Sequence, residues 1–195
     1  LAFQDLRELK VDVAYPFLME LYRDYDVKLL SKVDFLKAVR LVESYVFRRV
    51  VCAIPTNSMN KTFATFAKAL NKDCYLESIQ AHFLLLPSYR SFPIDEKFKR
   101  LLQSKDLYNF RSRRYLLRRL ENHDRKERVS IDEYTIEHIM PQNLSTEWKT
   151  SLGDDWQRIH QTYLHTLGNL TLTAYNSEYS NKLFPVKRDM EGGFK

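Results

Sequence analysis

Tyr134-Thr-Ile-Glu-His-Ile-Met-Pro-Gln-Asn143, answered by Leu167-Gly-Asn-Leu-Thr-Leu-Thr173, is the pair of stretches around which this chain is organised. The first is a short β-branched and apolar run that carries Glu137 and His138 side by side and stops at Pro141, which predicts a strand over 134–140. The second predicts a strand over 168–173, with Asn169 near its start. A polar segment holding Asn176 and Asn181 follows and predicts a helix from about 176 to beyond 182. Two short helical patterns, around Trp148 and Trp156, lie between the strands.

Outward from this core the chain reads as helical. With 195 residues, 44% hydrophobic content, 12 Phe and 12 Tyr, it can fill a sizeable core, and only 4 Gly and 6 Pro argue for few tight turns. Residues 3–25 predict a helix with a break near Pro16. Ser31 and Asp34 open a long helix to about Ala53, with Leu36, Val39, Val42, Val46 and Val50 on one arc and Arg48 and Arg49 beside it. Further helices are expected across Phe63 to Leu70, after a cap at Thr56 or Asn57, and from Asp73 through Leu76 and Ile79 to Leu86. Another starts at Pro93 and Asp95 and contains Phe98, Leu101 and Leu102. His123-Asp-Arg-Lys-Glu-Arg128 is a charged linker that predicts a boundary between a helical support domain, 1–128, and a strand-bearing module, 129–195. The fold class is therefore mainly α, a helical bundle followed by a small module with two strands.

Charge is uneven. The net charge is +6, and residues 97–128 hold twelve Lys or Arg against four Asp or Glu. On the helix expected over 110–121, Phe110, Leu116, Leu117 and Leu120 share one side and Arg111, Arg114 and Arg118 a neighbouring face. Such a face is either solvated and paired to acids, or it contacts phosphates without reading bases. Arg113 falls in the apolar arc and must snorkel or find a buried acid. Lys182 and Lys187 make the final segment basic. Cys52 and Cys74 read as buried free thiols of a reducing compartment, with no disulfide framework and no cysteine zinc site. No secretory leader and no apolar run near 20 residues is visible, so a cytoplasmic location is expected. The chain starts at Leu1 on a helical pattern and reads as a fragment of a longer protein.

The residue types in the two central stretches suit phosphodiester hydrolysis. A neutral His can take a proton from water near pH 7. One divalent cation, Mg²⁺ by default with Mn²⁺ as the alternative, can clamp the phosphate through oxygen ligands and waters. Glu137 and His138 are adjacent on a strand, so their side chains converge only if the strand ends or bends there. Asn169 can hold the loop by amide bonds to backbone, and Asn176 or Asn181 can offer an amide oxygen to the metal.

The two stretches, together with Trp148, the run from His165 through Phe184 and Lys187, resemble the C-terminal domain of GmrSD-type restriction endonucleases. The upstream Leu41-Val-Glu-Ser-Tyr-Val-Phe-Arg-Arg49, Pro55-Thr-Asn-Ser58 and Arg114-Tyr-Leu-Leu-Arg-Arg-Leu-Glu121 look like its helical region, so the resemblance covers nearly the whole chain. It implies an HNH, or His-Me finger, nuclease built as a ββα-metal module. His138 matches the general base, Glu137 the metal-binding acid, and Asn169 the middle Asn that orders the loop. Asn176 matches the third, metal-reaching position, with Asn181 as a second candidate. The resemblance further implies double-stranded, modified phage DNA as substrate and a role in restriction and phage defence; the zinc-binding cysteines of some HNH nucleases are absent here, so no structural zinc is expected. It also implies an amino-terminal, nucleotide-using domain or subunit that this chain does not contain. Two other readings remain open: a non-catalytic nucleic-acid-binding or protein-interaction module with a degenerate finger, and an RNase with the same site chemistry.

Overall fold

Ser31 accepts the backbone N–H of Asp34 on its hydroxyl at 3.0 Å, which caps the longest helix of the chain where the sequence placed it. The computed structural model describes residues 2–194, and the chain divides into two units, Leu1–Leu101 and Leu102–Lys195. Among the described residues the structure is mainly helical, with one two-stranded antiparallel sheet.

In the first unit, α1 spans Ala2–Leu9, α2 Tyr15–Asp26, α3 Lys32–Val51, α4 Met59–Ala69, α5 Tyr75–Leu84, and α6 starts at Asp95 and ends at Gln103. The break expected at Pro16 falls earlier, in the 3-10 turn Asp12–Ala14. Pro16 instead lies in the first turn of α2, where its missing N–H removes no helical bond. On α3 the buried stripe is Phe35, Ala38, Val39, Val42, Tyr45 and Val46, while Leu36 is 43% exposed. Aromatic packing sets that rotation. The Tyr45 ring lies against Phe83 and Phe92, and its hydroxyl donates to the Arg90 carbonyl at 2.8 Å. Arg49 is fully buried, donating to the carbonyls of Tyr89 and Pro55 and to the Ser58 hydroxyl. Cys52 is buried as expected, but Cys74 is exposed; both are free thiols.

The second unit contains α7 (Arg113–Glu121), β1 (Thr135–His138), α8 (Thr146–Leu152), α9 (Trp156–Tyr163), β2 (Leu170–Thr173), α10 (Asn176–Tyr179) and α11 (Phe184–Asp189). The strands pair antiparallel, Thr135 with Thr173 through His138 with Leu170. The charged linker at 123–128 does not separate the units: α7 packs on β2 across it. The helix start expected near 110 lies at Arg113, and the buried face is Tyr115, Leu116 and Leu117, with Leu120 48% exposed. The single helix expected from 176 to beyond 182 is two. Ser180 adopts φ +45°, a left-handed conformation that stops α10 after four residues, and Pro185 sits in the first turn of α11. No helix among the described residues is long and apolar enough to cross a membrane.

Candidate functional site

His138 is the last residue of β1, and the chain leaves the ladder directly after it. Asn169 fixes that exit through its backbone and its side chain. The Ile139 N–H donates to the Asn169 carbonyl at 2.9 Å, and the Asn169 amide clamps the loop from three sides. Its Oδ1 accepts from the Met140 N–H at 2.7 Å, and its Nδ2 donates to the carbonyls of Met140 at 2.9 Å and Leu164 at 2.8 Å. Asn169 is 7% exposed, so these backbone groups have no ready replacement partner in water. Asn169→Ala is expected to destabilise the unit by about 1–3 kcal/mol in urea unfolding, because it orphans several buried backbone groups at once. An unchanged midpoint would show that the loop holds without the amide.

Because β1 ends at His138, two adjacent side chains reach one groove. Glu137, His138, Asn176 and Asn181 line an open pocket of about 260 Å³, together with Tyr108, Gln142, Asn143 and Ser180. Asn176 donates from Nδ2 to the Thr135 hydroxyl at 3.1 Å and the Ile136 carbonyl at 3.2 Å, which ties the start of α10 to β1. The side chain of Asn181 makes no hydrogen bond among the described residues, and the backbone beside it is pinned. The Trp148 indole donates to the carbonyls of Asn181 at 3.2 Å and Lys182 at 3.3 Å.

His138 is 5% exposed. Its Nε2 lies 3.1 Å from His165 Nδ1, and its Nδ1 lies 3.5 Å from the Gln142 amide nitrogen. An amide NH₂ only donates, so the tautomer compatible with both contacts carries the lone pair on Nδ1 and the ring proton on Nε2. The Tyr108 ring stacks on His165 and tilts against His138, with centroids 5.2 and 4.6 Å apart. His165 is held in turn through its carbonyl, which accepts from the Leu107 N–H at 2.7 Å. Burial pushes the His138 pKa down to about 4, and the neighbouring His165 and Lys187 push the same way. The imidazole is therefore neutral across the physiological range.

A pH dependence of stability follows. The unfolded imidazole takes a proton near 6.5 and the folded one near 4, so between those values the unfolded chain binds the extra proton. The contribution of neutral His138 is complete above about pH 6.5 and falls as pH drops toward 4, by at most about 1.4 kcal/mol per unit. Urea unfolding at pH 5 and pH 7 is expected to show a smaller acid loss for His138→Gln than for the unsubstituted chain. Equal losses would place the imidazole in water.

Glu137 is also buried, and its charge is answered from 50 residues away. Lys187, on α11, is fully buried and places Nζ 2.5 Å from Glu137 Oε1, with the carbonyls of His138 at 3.0 Å and Ile139 at 3.1 Å. All three ammonium protons are thereby used. Lys187, expected from the sequence on a nucleic-acid-facing surface, is instead an internal brace under β1. Lys187 lies in the last turn of α11, the helix that follows the break at Ser180.

The remaining basic residues are distributed differently from the expected face. Arg111 and Arg114 are exposed and Arg118 is half-buried, while Arg114 pairs with Asp132. Arg113, expected in the apolar arc, is exposed and donates to the Tyr108 carbonyl at 2.7 Å. Lys182 is exposed. Sequence reasoning did not single out Tyr108 or His165. His165 lies four residues before Asn169, whereas Tyr108 carries no local signal.

A family model for the C-terminal domain of GmrSD restriction endonucleases matches residues 92–193. The chain belongs to this family. The matched range takes in every residue of the groove and all of α7 to α11, Arg114–Glu121 included, whereas the stretches 41–49 and 55–58 lie outside it. No curated protein and no solved structure matches the chain.

Proposed function

We propose that this GmrSD-family chain is a metal-dependent DNA endonuclease domain of the HNH, or His-Me finger, type. The observation that carries the reading is the groove. It gathers an acid, a neutral imidazole and two amides at the point where a two-stranded sheet meets a short helix, with a buried Asn clamping the loop. With the long Gln142 contact giving way to the attacking water, His138 Nδ1 accepts a proton from that water as the water oxygen attacks phosphorus and the bond to the leaving oxygen breaks. His165 holds the Nε2 proton and so fixes the ring and its tautomer.

The donor set fits one hard cation. Lys187 occupies only Oε1 of Glu137, so Oε2 and the Asn176 Oδ1 make no hydrogen bond among the described residues. Mg²⁺ needs few protein oxygens because it keeps several waters, and no cluster of three His, Cys, Asp or Glu is present among the described residues. Glu137 and Asn176, or Asn181 in its place, would hold the ion. Bound there, it would neutralise charge gathering on the phosphate and the leaving oxygen. Target choice, including modified phage DNA, would rest with a nucleotide-using partner half. The test is conversion of supercoiled plasmid by the full chain with Mg²⁺ or Mn²⁺ against a chelator control. No metal-dependent cut on DNA or on a matched RNA would sink the reading.

One observation favours a second reading, a finger that binds nucleic acid without cutting. The Lys187 ammonium already neutralises Glu137 inside the unit, as a metal would. Salt-sensitive DNA binding with no cleavage under any divalent ion would select it.

A further inference from the structure

A second cavity of about 460 Å³ adjoins the groove and shares Ile136 with it as a common wall. Three arginines line it, Arg111, Arg113 and Arg114, and no acidic residue does. Its floor is apolar, formed by Leu117 of α7 and by Ile136 and Leu172 of the paired strands. We propose that this pocket seats a nucleotide of the substrate strand beside the scissile phosphate, an inference that rests on the endonuclease reading.

Four features support the assignment. The volume falls within the roughly 300–1,000 Å³ typical of small-ligand sites. The charge is unbalanced: Asp132 answers Arg114 and the Tyr108 carbonyl takes one Arg113 N–H, but Arg111 makes no hydrogen bond or ion pair among the described residues. A guanidinium fork matches a phosphate in two-point geometry, so the uncommitted Arg111 and its neighbours suit a strand backbone. The floor, with the Tyr134 ring beside it, offers an apolar platform for a base or sugar face, which a bare anion site would not need.

Position gives the pocket its role. Ile136 is two residues before His138 on β1, and its carbonyl holds Asn176, so the wall between the two cavities is the strand that carries the site. A strand whose scissile phosphate lies at His138 can lay an adjacent nucleotide over Ile136. The larger cavity of the unit, about 510 Å³, has Glu121 and no cation in its lining and does not attract a phosphate chain.

The experiment uses the full chain and a fluorescein-labelled DNA duplex. Arg111→Gln, Arg113→Gln and Arg114→Gln are made singly and together, with Arg158→Gln, an exposed arginine outside the pocket, as control. The slope of log affinity against log salt is expected to fall by about one per pocket arginine and to stay unchanged in the control. KM for cleavage is expected to rise with each substitution while kcat stays within about twofold. An unchanged slope and KM in the triple variant, or an equal loss in Arg158→Gln, overturns the pocket and leaves the endonuclease reading standing. A chain that binds but never cuts overturns the endonuclease reading, and the slopes still decide the pocket. A polyphosphate that competes as well as an oligonucleotide of equal charge overturns the nucleotide seat. Retained thermal unfolding midpoints show that the variants fold.

Discussion

Replacing His138 by alanine is expected to lower metal-dependent plasmid cleavage by the full chain roughly 10²–10⁴-fold, the usual loss when a positioned general base is removed. DNA affinity should stay near that of the unsubstituted chain. The imidazole is 5% exposed and neutral, so its removal takes no charge from the surface that phosphates meet. The expectation is specific because the ring is fixed from both sides. His165 Nδ1 lies against Nε2, Gln142 lies against Nδ1, and Tyr108 packs on the ring face. A nitrogen held this way cannot be replaced by a mobile water without loss of orientation. Equal nicking by His138→Ala and the unsubstituted chain would remove His138 from the chemistry. Loss of binding along with cleavage would make its role structural.

Lys187→Met is expected to destabilise the second unit by about 3–5 kcal/mol, the range found when one partner of a buried ion pair is deleted. The substitution keeps an unbranched side chain of similar length and removes only the ammonium. Glu137 is then left charged at 6% exposure, and the carbonyls of His138 and Ile139 lose their shared donor. Adding Glu137→Gln should recover part of the loss, because the uncompensated charge is gone while the carbonyls stay unpaired. Urea midpoints of the two single variants and the double variant measure the coupling. A loss below about 1 kcal/mol for Lys187→Met would mean that Glu137 meets solvent or a proton instead of the ammonium.

These two residues show how differently the site was written into the chain. The strands that carry Glu137 and His138 and that follow Asn169 were legible because their neighbours are informative: a β-branched run ended by proline, and a Gly-Asn step opening a second run. The clamp made by the Asn169 amide follows from the short distance, in space, between two paired strands. Helices with a strong local cap, such as α3 behind Ser31, were equally legible. The rotation of α3 was not, since Leu36 and Phe35 are both apolar and only the aromatic cluster around Tyr45 selects between them. Likewise a run of arginines spaced at three and four suggests a face, but the helix begins at Arg113. That start replaces Arg118 by Arg113 in the group that shares a cavity.

By itself the sequence determined the chemical inventory: a mainly helical chain, a strand–loop–strand core, and an acid, an imidazole and amides in a spacing that matches the GmrSD endonuclease family. The tertiary structure alone decided which of these groups line one groove, which partners flank the His138 ring, and that Lys187 is buried against Glu137 and away from solvent. The physical reason is separation along the chain. Periodicity and capping act over a few residues, whereas Lys187 meets Glu137 across 50 positions and His165 meets His138 across 27.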